Sequence, residues 1–212
     1  MIMRRKIHDI TFAVSEEMPS WPGTPAFEKA FDLRMPADVA NSSTLKINSH
    51  MGTHIDAPFH FCAEGQTIDE IPLERFMGEV SVRSILGKNR ISAEDLEKLV
   101  LPADCKRLLL KTDNAELWKT AHSFYEDFVA LEESAAEWLV HRGFEMIGID
   151  YLSIQKYSDG PEVHQILLES EVLILESLNL AEVDEDDYEI ICFPLKIKGA
   201  EAAPARIVLI EK

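Results

Sequence analysis

The sequence predicts a single α/β domain on three observations. Strand-like segments alternate with three helix signals, and no linker, repeat or glycine-rich phosphate loop divides them. Apolar residues form 46% of 212 positions, enough to bury one substantial core. Nine segments rich in β-branched and aromatic residues, with turn-rich borders, are predicted strands: 6–14, 27–34, 44–48, 79–86, 107–112, 145–150, 172–175, 188–195 and 205–210. Ser92-Ala-Glu-Asp95 reads as an N-cap opening a helix over 93–99. A second helix, 131–142, places Ala135, Ala136, Leu139 and Val140 on one face, with Gly143 just past its end. A third, 162–169, follows Gly160-Pro161.

Charge and composition exclude several classes of function. The formal charge of −17 disfavours nucleic acid and anionic membrane surfaces as partners. No run of about twenty apolar residues is present to span a bilayer. The first segment interrupts its apolar stretch with His8 and Asp9, unlike a signal peptide. Cys62, Cys105 and Cys192 are odd in number and widely spread, which predicts reduced thiols and a cytoplasmic setting. Cys62 has no positioned base nearby in sequence, so it does not read as a nucleophile. The acidic tract Glu182-Val-Asp-Glu-Asp-Asp187 is expected to be an exposed loop.

The densest chemistry lies in His50-Met-Gly-Thr-His-Ile-Asp-Ala-Pro-Phe-His60, which holds three of the seven histidines and an aspartate. On a strand, His54 and Asp56 share a face roughly 6–7 Å apart at Cα, a separation from which two side chains can close on one ion. His50 and His54 would lie roughly 13 Å apart on a straight strand, too far for bonds near 2 Å to one metal. The chain must bend between them, and Gly52 can take the unusual φ. A helix would carry Asp56 about 120° away from His50 and His54, and Pro58 would interrupt it. The expected form is a strand running into a turn, with Pro58 stiffening the exit that aims His60. Any one of these histidines alone reads as a capping or packed residue; the set, with its carboxylate, reads as a metal site. No His-Glu-x-x-His or Cys-x-x-Cys motif is present. Later in the chain, His164 opens the third helix, and Glu176 ends an apolar strand on the face of Val172 and Ile174. A carboxylate there is costly to bury unless a metal or arginine partners it, and exposure at the strand's end is the alternative.

These motifs resemble those of the metal-dependent cyclase-like hydrolases, which include bacterial kynurenine formamidase and isatin hydrolase. The resemblance is carried by His50-x-Gly-Thr-His-x-Asp-x-Pro-x-His60, Trp21-Pro-Gly23, Gly148-Ile-Asp150 with Ser153, His164-x-x-Leu-Leu168, Leu175-Glu176, and Asp187-Tyr-Glu189 with Pro194-Leu-Lys196. It implies a swivelling β/β/α fold, with a mixed sheet or partial barrel and a few outer helices. It also implies one or two divalent ions, zinc foremost and manganese as the alternative. His50, His54, Asp56, His164 and Glu176 would be ligands, with His60 as acid and base. The implied substrate is a small amide, foremost an N-formyl arylamine such as N-formylkynurenine. A cyclic amide such as isatin, or a non-catalytic metal-binding role, is the alternative. Relatives imply a homodimer or homotetramer. Trp21 is a candidate platform for an aryl group, with Phe59 a weaker one. Thr24 stands where aspartate is common, residues 154–160 lack a usual Asp-Pro, and Gly199-Ala-Glu-Ala-Ala-Pro204 matches Gly-x-Asp-Gly-x-Pro only in part.

Overall fold

Alternating apolar residues build a curled mixed sheet whose two faces bury different cores. The computed structural model describes residues 5–120 and 123–212. Its strands are β1 (Ile7–Asp9), β2 (Glu28–Leu33), β3 (Ser42–Lys46), β4 (His54–Asp56), β5 (Met77–Ser84), β6 (Arg90–Ile91), β7 (Arg107–Lys111), β8 (Ala130–Leu131), β9 (Met146–Ile149), β10 (Leu173–Glu176), β11 (Asp186–Ile191), β12 (Ala202–Pro204) and β13 (Val208–Glu211). Four α-helices are described: α1 (Ala93–Glu97), α2 (Leu117–Thr120), α3 (Glu133–His141) and α4 (Glu162–Glu169). Nine strands form one sheet in the order β1-β13-β11-β5-β7-β9-β10-β4-β12. Its centre, β5-β7-β9-β10, is parallel, and the flanking pairs are antiparallel. The expected α/β fold with a mixed sheet curled into a half-barrel is therefore present.

Side-chain alternation sorts the residues between the faces. Leu109, Met146, Leu173, Leu175 and Ile55 turn inward and meet Val80, Val82, Ile190 and Leu209 in one core. Leu108, Leu110, Ile147, Ile149 and Ile174 turn outward and pack beneath α1, α3 and α4 through Leu96, Ala135, Leu139, Val163 and Leu167. Close approach of the layers depends on Gly148 in β9. A Cβ there would stand 2.6 Å from Leu109 Cδ2 and 2.7 Å from Leu178 Cδ1.

The third helix has the expected bounds, and Asp95 accepts the Ser92 backbone N–H as the N-cap of α1 requires. Other bounds differ for physical reasons. The first predicted strand stops at Asp9 because Ile10 and Thr11 change partners, reaching Ile207 on one side and the 178–179 segment on the other. Residues 130–131 form β8 against β6 instead of opening α3. The predicted strand at 205–210 is reduced to β13, which starts at Val208, and β12 lies just ahead of it. The acidic tract is not wholly loop: Asp186 and Asp187 open β11, and Asp187 accepts Ser81 Oγ at 2.6 Å and Arg83 Nη2 at 2.9 Å.

Asp150, just after β9, is fully buried and accepts the backbone N–H and the hydroxyl of Thr112, both at 2.7 Å. Burial lifts its pKa from 3.8 to about 6 despite those hydrogen bonds. Because the folded-state value is the higher one, ionisation of Asp150 progressively costs stability as pH rises from 3.8 to about 6. Asp150→Asn should therefore show a shallower loss of unfolding free energy across that interval than the unmodified chain, by up to ~1.4 kcal/mol per pH unit in urea titrations. Gly148→Ala should lower stability by ~1–3 kcal/mol through overpacking, read from the urea midpoint.

Candidate metal centre

β4 lies between β10 and β12 and supplies the core of the site. Ile55 points to the inner core, so alternation turns His54 and Asp56 to the outer face. Antiparallel pairing sets Glu176 of β10 opposite His54, and Ile174 opposite Asp56. Paired residues share a face, so both carboxylates and the imidazole converge where the outer helical layer ends. His164 reaches the same place from α4. Residues 49–53 form turns and bends, so the strand expected to begin near His50 contains only His54–Asp56. Gly52 takes φ +68°, the bend its position predicted, and brings His50 back over Asp56. Pro58 opens a short 3-10 turn, Pro58–His60, which presents His60.

All six expected metal and acid–base residues meet. His50 Nδ1 lies 3.0 Å and His54 Nε2 3.4 Å from Asp56 Oδ1. Glu176 Oε2 stands 3.3 Å from His54 Nε2, and Glu176 Oε1 stands 3.3 Å from His164 Nε2. His164 Nε2 is 3.9 Å from Asp56 Oδ2. Two donor groups share Asp56: His50, Asp56 and His60; and His54, Asp56 and Glu176. Within each, the ligand atoms lie within 4.8 Å of one another. His60 thus sits among possible ligands as well as beside the cavity, a closer association than an acid–base role alone predicted. Its ring centroid is 4.2 Å from that of His50 and 5.9 Å from that of His164.

Backbone contacts set which imidazole nitrogens face inward. His54 Nδ1–H donates to the Gly52 carbonyl at 2.8 Å, because a carbonyl only accepts, so the neutral ring turns a lone pair at Nε2 towards Glu176 and Asp56. Gln155 Oε1 lies 3.3 Å from His164 Nδ1 and imposes the same tautomer. His54 Nε2 and both Asp56 oxygens are buried with no hydrogen-bond partner among the described residues. Buried polar atoms are ordinarily satisfied, so such close but unbonded donors fit a divalent cation.

Electrostatics agree. Burial alone would depress His54, but the adjacent carboxylates of Asp56 and Glu176 outweigh it and raise the pKa to about 10. Burial pushes Asp56 up, yet His50 and His54 hold it well below the usual carboxylate range. Glu176 is pushed up by burial and by Asp56, and His164 and His54 bring it below its ordinary value. The pocket draws positive charge. His60 behaves oppositely: burial lowers its pKa, favouring the neutral imidazole.

A cavity of about 250 Å³ opens beside the centre, lined by His50, His60, His164 and Glu176. Trp21, Phe61 and Leu152 form its apolar wall, and Thr24, Asn48, Ser153 and Gln155 contribute polar groups. Trp21 is thus where the sequence expects it, braced edge-on by Phe124 and Tyr157. Phe59 is not: its side chain is outside the lining, and the residue is 38% exposed. Phe61, two residues on, stacks on His164 instead, at 4.7 Å. Glu201 was not singled out by the sequence, yet its Oε1 stands 3.4 Å from His50 Nε2. The only signal for it is the partial Gly199-x-Glu motif.

His54→Ala should lower metal affinity by at least ~10-fold in chelator competition, because it removes a donor and its backbone-set orientation together. Unchanged affinity would remove this residue from the ligand set.

Comparison with known proteins gives a consistent picture. The family described as "Putative cyclase" matches residues 8–156. "Kynurenine formamidase" of Bordetella petrii is 32% identical over 219 residues, covering 98% of this chain and 99% of the relative. "Cyclase-like protein 1" of Arabidopsis thaliana is 32% identical over 220 residues, covering 97% and 85%. A solved structure described as a potential metal-dependent hydrolase with cyclase activity superposes with TM-score 0.85 at 30% identity, covering 98% of each chain. Isatin hydrolase A from Labrenzia aggregata shares the fold, with TM-score 0.81 at 22% identity over 97% of this chain and 93% of that one. With motif, fold and donor geometry in agreement, the chain belongs to the cyclase family of metal-dependent hydrolases.

Proposed function

We propose that this protein is a metal-dependent hydrolase that cleaves a non-peptide amide C–N bond, foremost that of an N-formyl arylamine such as N-formylkynurenine. The observation that carries this reading is the set of buried, unbonded donor atoms on His54 and Asp56 beside a neutral His60 that lines an aromatic-walled cavity. The relatives named kynurenine formamidase support the choice of bond. A closed structural site would not need a further acid–base group at its cavity, which disfavours a purely binding role.

His50, His54, Asp56, His164 and Glu176 would hold one or two divalent ions, with Asp56 shared. Zinc suits this nitrogen and oxygen donor set best, and manganese is the alternative. When bound, the ion supplies Lewis-acid polarisation of the carbonyl and acidifies water from a pKa of 15.7 to about 7. The chain does the rest. Trp21, Phe61 and Leu152 take the ring and exclude water from one side of the amide. Glu176 is fixed by the Ile154 backbone N–H at 2.7 Å, which holds its carboxylate in one orientation. The neutral imidazole of His60 takes a proton from the attacking water and returns it to the departing nitrogen.

The assembly is proposed to be a homodimer or homotetramer. The β2–β3 hairpin supports this, since its strands are almost wholly exposed and carry Phe31, Leu33 and Leu45, with Ile47 following. A two-stranded hairpin standing alone is marginal in water, and a second copy could cover it. A cytoplasmic setting fits three cysteines that form no disulfide. No described helix is long and apolar enough to cross a membrane.

The test is a panel of N-formylated arylamines and isatin-like rings offered to protein with measured metal content. Preferential cleavage of the formyl amides supports the reading; full metal occupancy without turnover of any amide overturns it. His60→Ala should retain metal and lose ~10²–10⁴-fold in kcat. Full activity in that variant would remove His60 from the proton path.

A further inference from the structure

Two amide side chains in the cavity wall present donors that no described residue uses. Asn48 Oδ1 accepts the backbone N–H of His50 at 2.9 Å. Gln155 Oε1 faces the backbone N–H and Nδ1 of His164, both at 3.3 Å. Backbone N–H groups can only donate, so these contacts fix which end of each amide is oxygen. The NH₂ groups therefore lie at the other ends. Neither has a hydrogen-bond partner among the described residues, and both side chains line the cavity. Gln155 is only 8% exposed, so its open nitrogen is reached through that cavity.

We propose that Asn48 and Gln155 are specificity-determining donors that hold a hydrogen-bond-accepting oxygen of the substrate, a carbonyl or carboxylate adjacent to the scissile amide. Each amide is tied through its oxygen to a histidine of the metal centre, which keeps its NH₂ group close to the reacting bond. Trp21, Phe61 and Leu152 supply mainly apolar surface to the same cavity, so an aromatic ring set against them leaves its polar substituents for the amides to meet. A substrate lacking that second oxygen leaves the donors unpaired in a confined site, and confinement makes the penalty large. Neutral donors serve either oxygen type without the desolvation cost of a lysine or arginine. The inference rests on the hydrolase reading only for the identity of the bond that is cut.

The experiment compares two probes, aniline and aniline bearing an ortho-acetyl group, by quenching of tryptophan fluorescence in the metal-loaded protein. The acetylated probe should bind about tenfold more tightly or better. Asn48→Asp and Gln155→Glu keep the oxygen that faces each histidine and replace the NH₂ group with a second oxygen. Each should bring the two affinities to within about twofold, with metal content retained. Equal affinity of the unmodified protein for both probes overturns the proposal, whether or not either variant folds. A preference that survives in both folded variants also overturns it. Amide-dependent preference without turnover of any formamide defeats the hydrolase reading alone; turnover without that preference defeats this proposal alone.

Discussion

Two carboxylates buried side by side require positive charge, and the rest of the site answers that requirement. Asp56 and Glu176 stand on adjacent strands, 0% and 3% exposed, with no arginine or lysine against them in any described contact. Isolated buried anions cost several kcal/mol each, so such a pair persists only with cationic or metal partners. Four histidines surround the pair, and backbone or amide oxygens orient two of them with a bare nitrogen inward. The same two carboxylates raise the pKa of His54 to about 10, so they favour positive charge on that side chain as well. Proton and metal answer one electrostatic demand.

The scaffold meets that demand by dividing labour between its faces. The inner face carries Leu, Ile, Val and Met side chains that close the curled sheet on itself. The outer face is apolar beneath α1, α3 and α4 and becomes polar beyond that helical layer, with the site at the β10 and β4 end. His164 belongs to the last helix of this layer, so it reaches the boundary without a separate loop. The cavity wall is assembled differently, from Trp21, Asn48, Phe61 and residues 152–155 in irregular segments. All the ligand positions except His50 are thus held by hydrogen-bonded strands and a helix, whereas substrate contacts come from loops, which tolerate change more readily.

Much of this arrangement was legible in the residues. The period-2 spacing of His54 and Asp56, the freedom of Gly52 and the helix signal before His164 each state a local geometry that the folded chain adopts. Glu176 was ambiguous because a strand-end carboxylate can point to solvent. Its pairing with His54, a contact across more than a hundred residues, decides the matter. Short elements were harder to see. β6, β8 and β12 have two or three residues each, too few to show a period, and they exist because of their partners. Phe59 and Phe61 are likewise alike in sequence; only the 3-10 turn between Pro58 and His60 decides which ring faces the centre. Glu201 and Gln155 depend wholly on tertiary placement.

The pairing of β4 carries one more consequence. Its three residues are His54, Ile55 and Asp56, an apolar side chain between two ligands, locked to neighbours on both edges. Sliding this strand by a single position would bury both ligands in hydrocarbon and expel the isoleucine, so no partly shifted alignment is tolerable. Misalignment is therefore self-rejecting: the hydrocarbon interior proofreads the geometry of the catalytic centre.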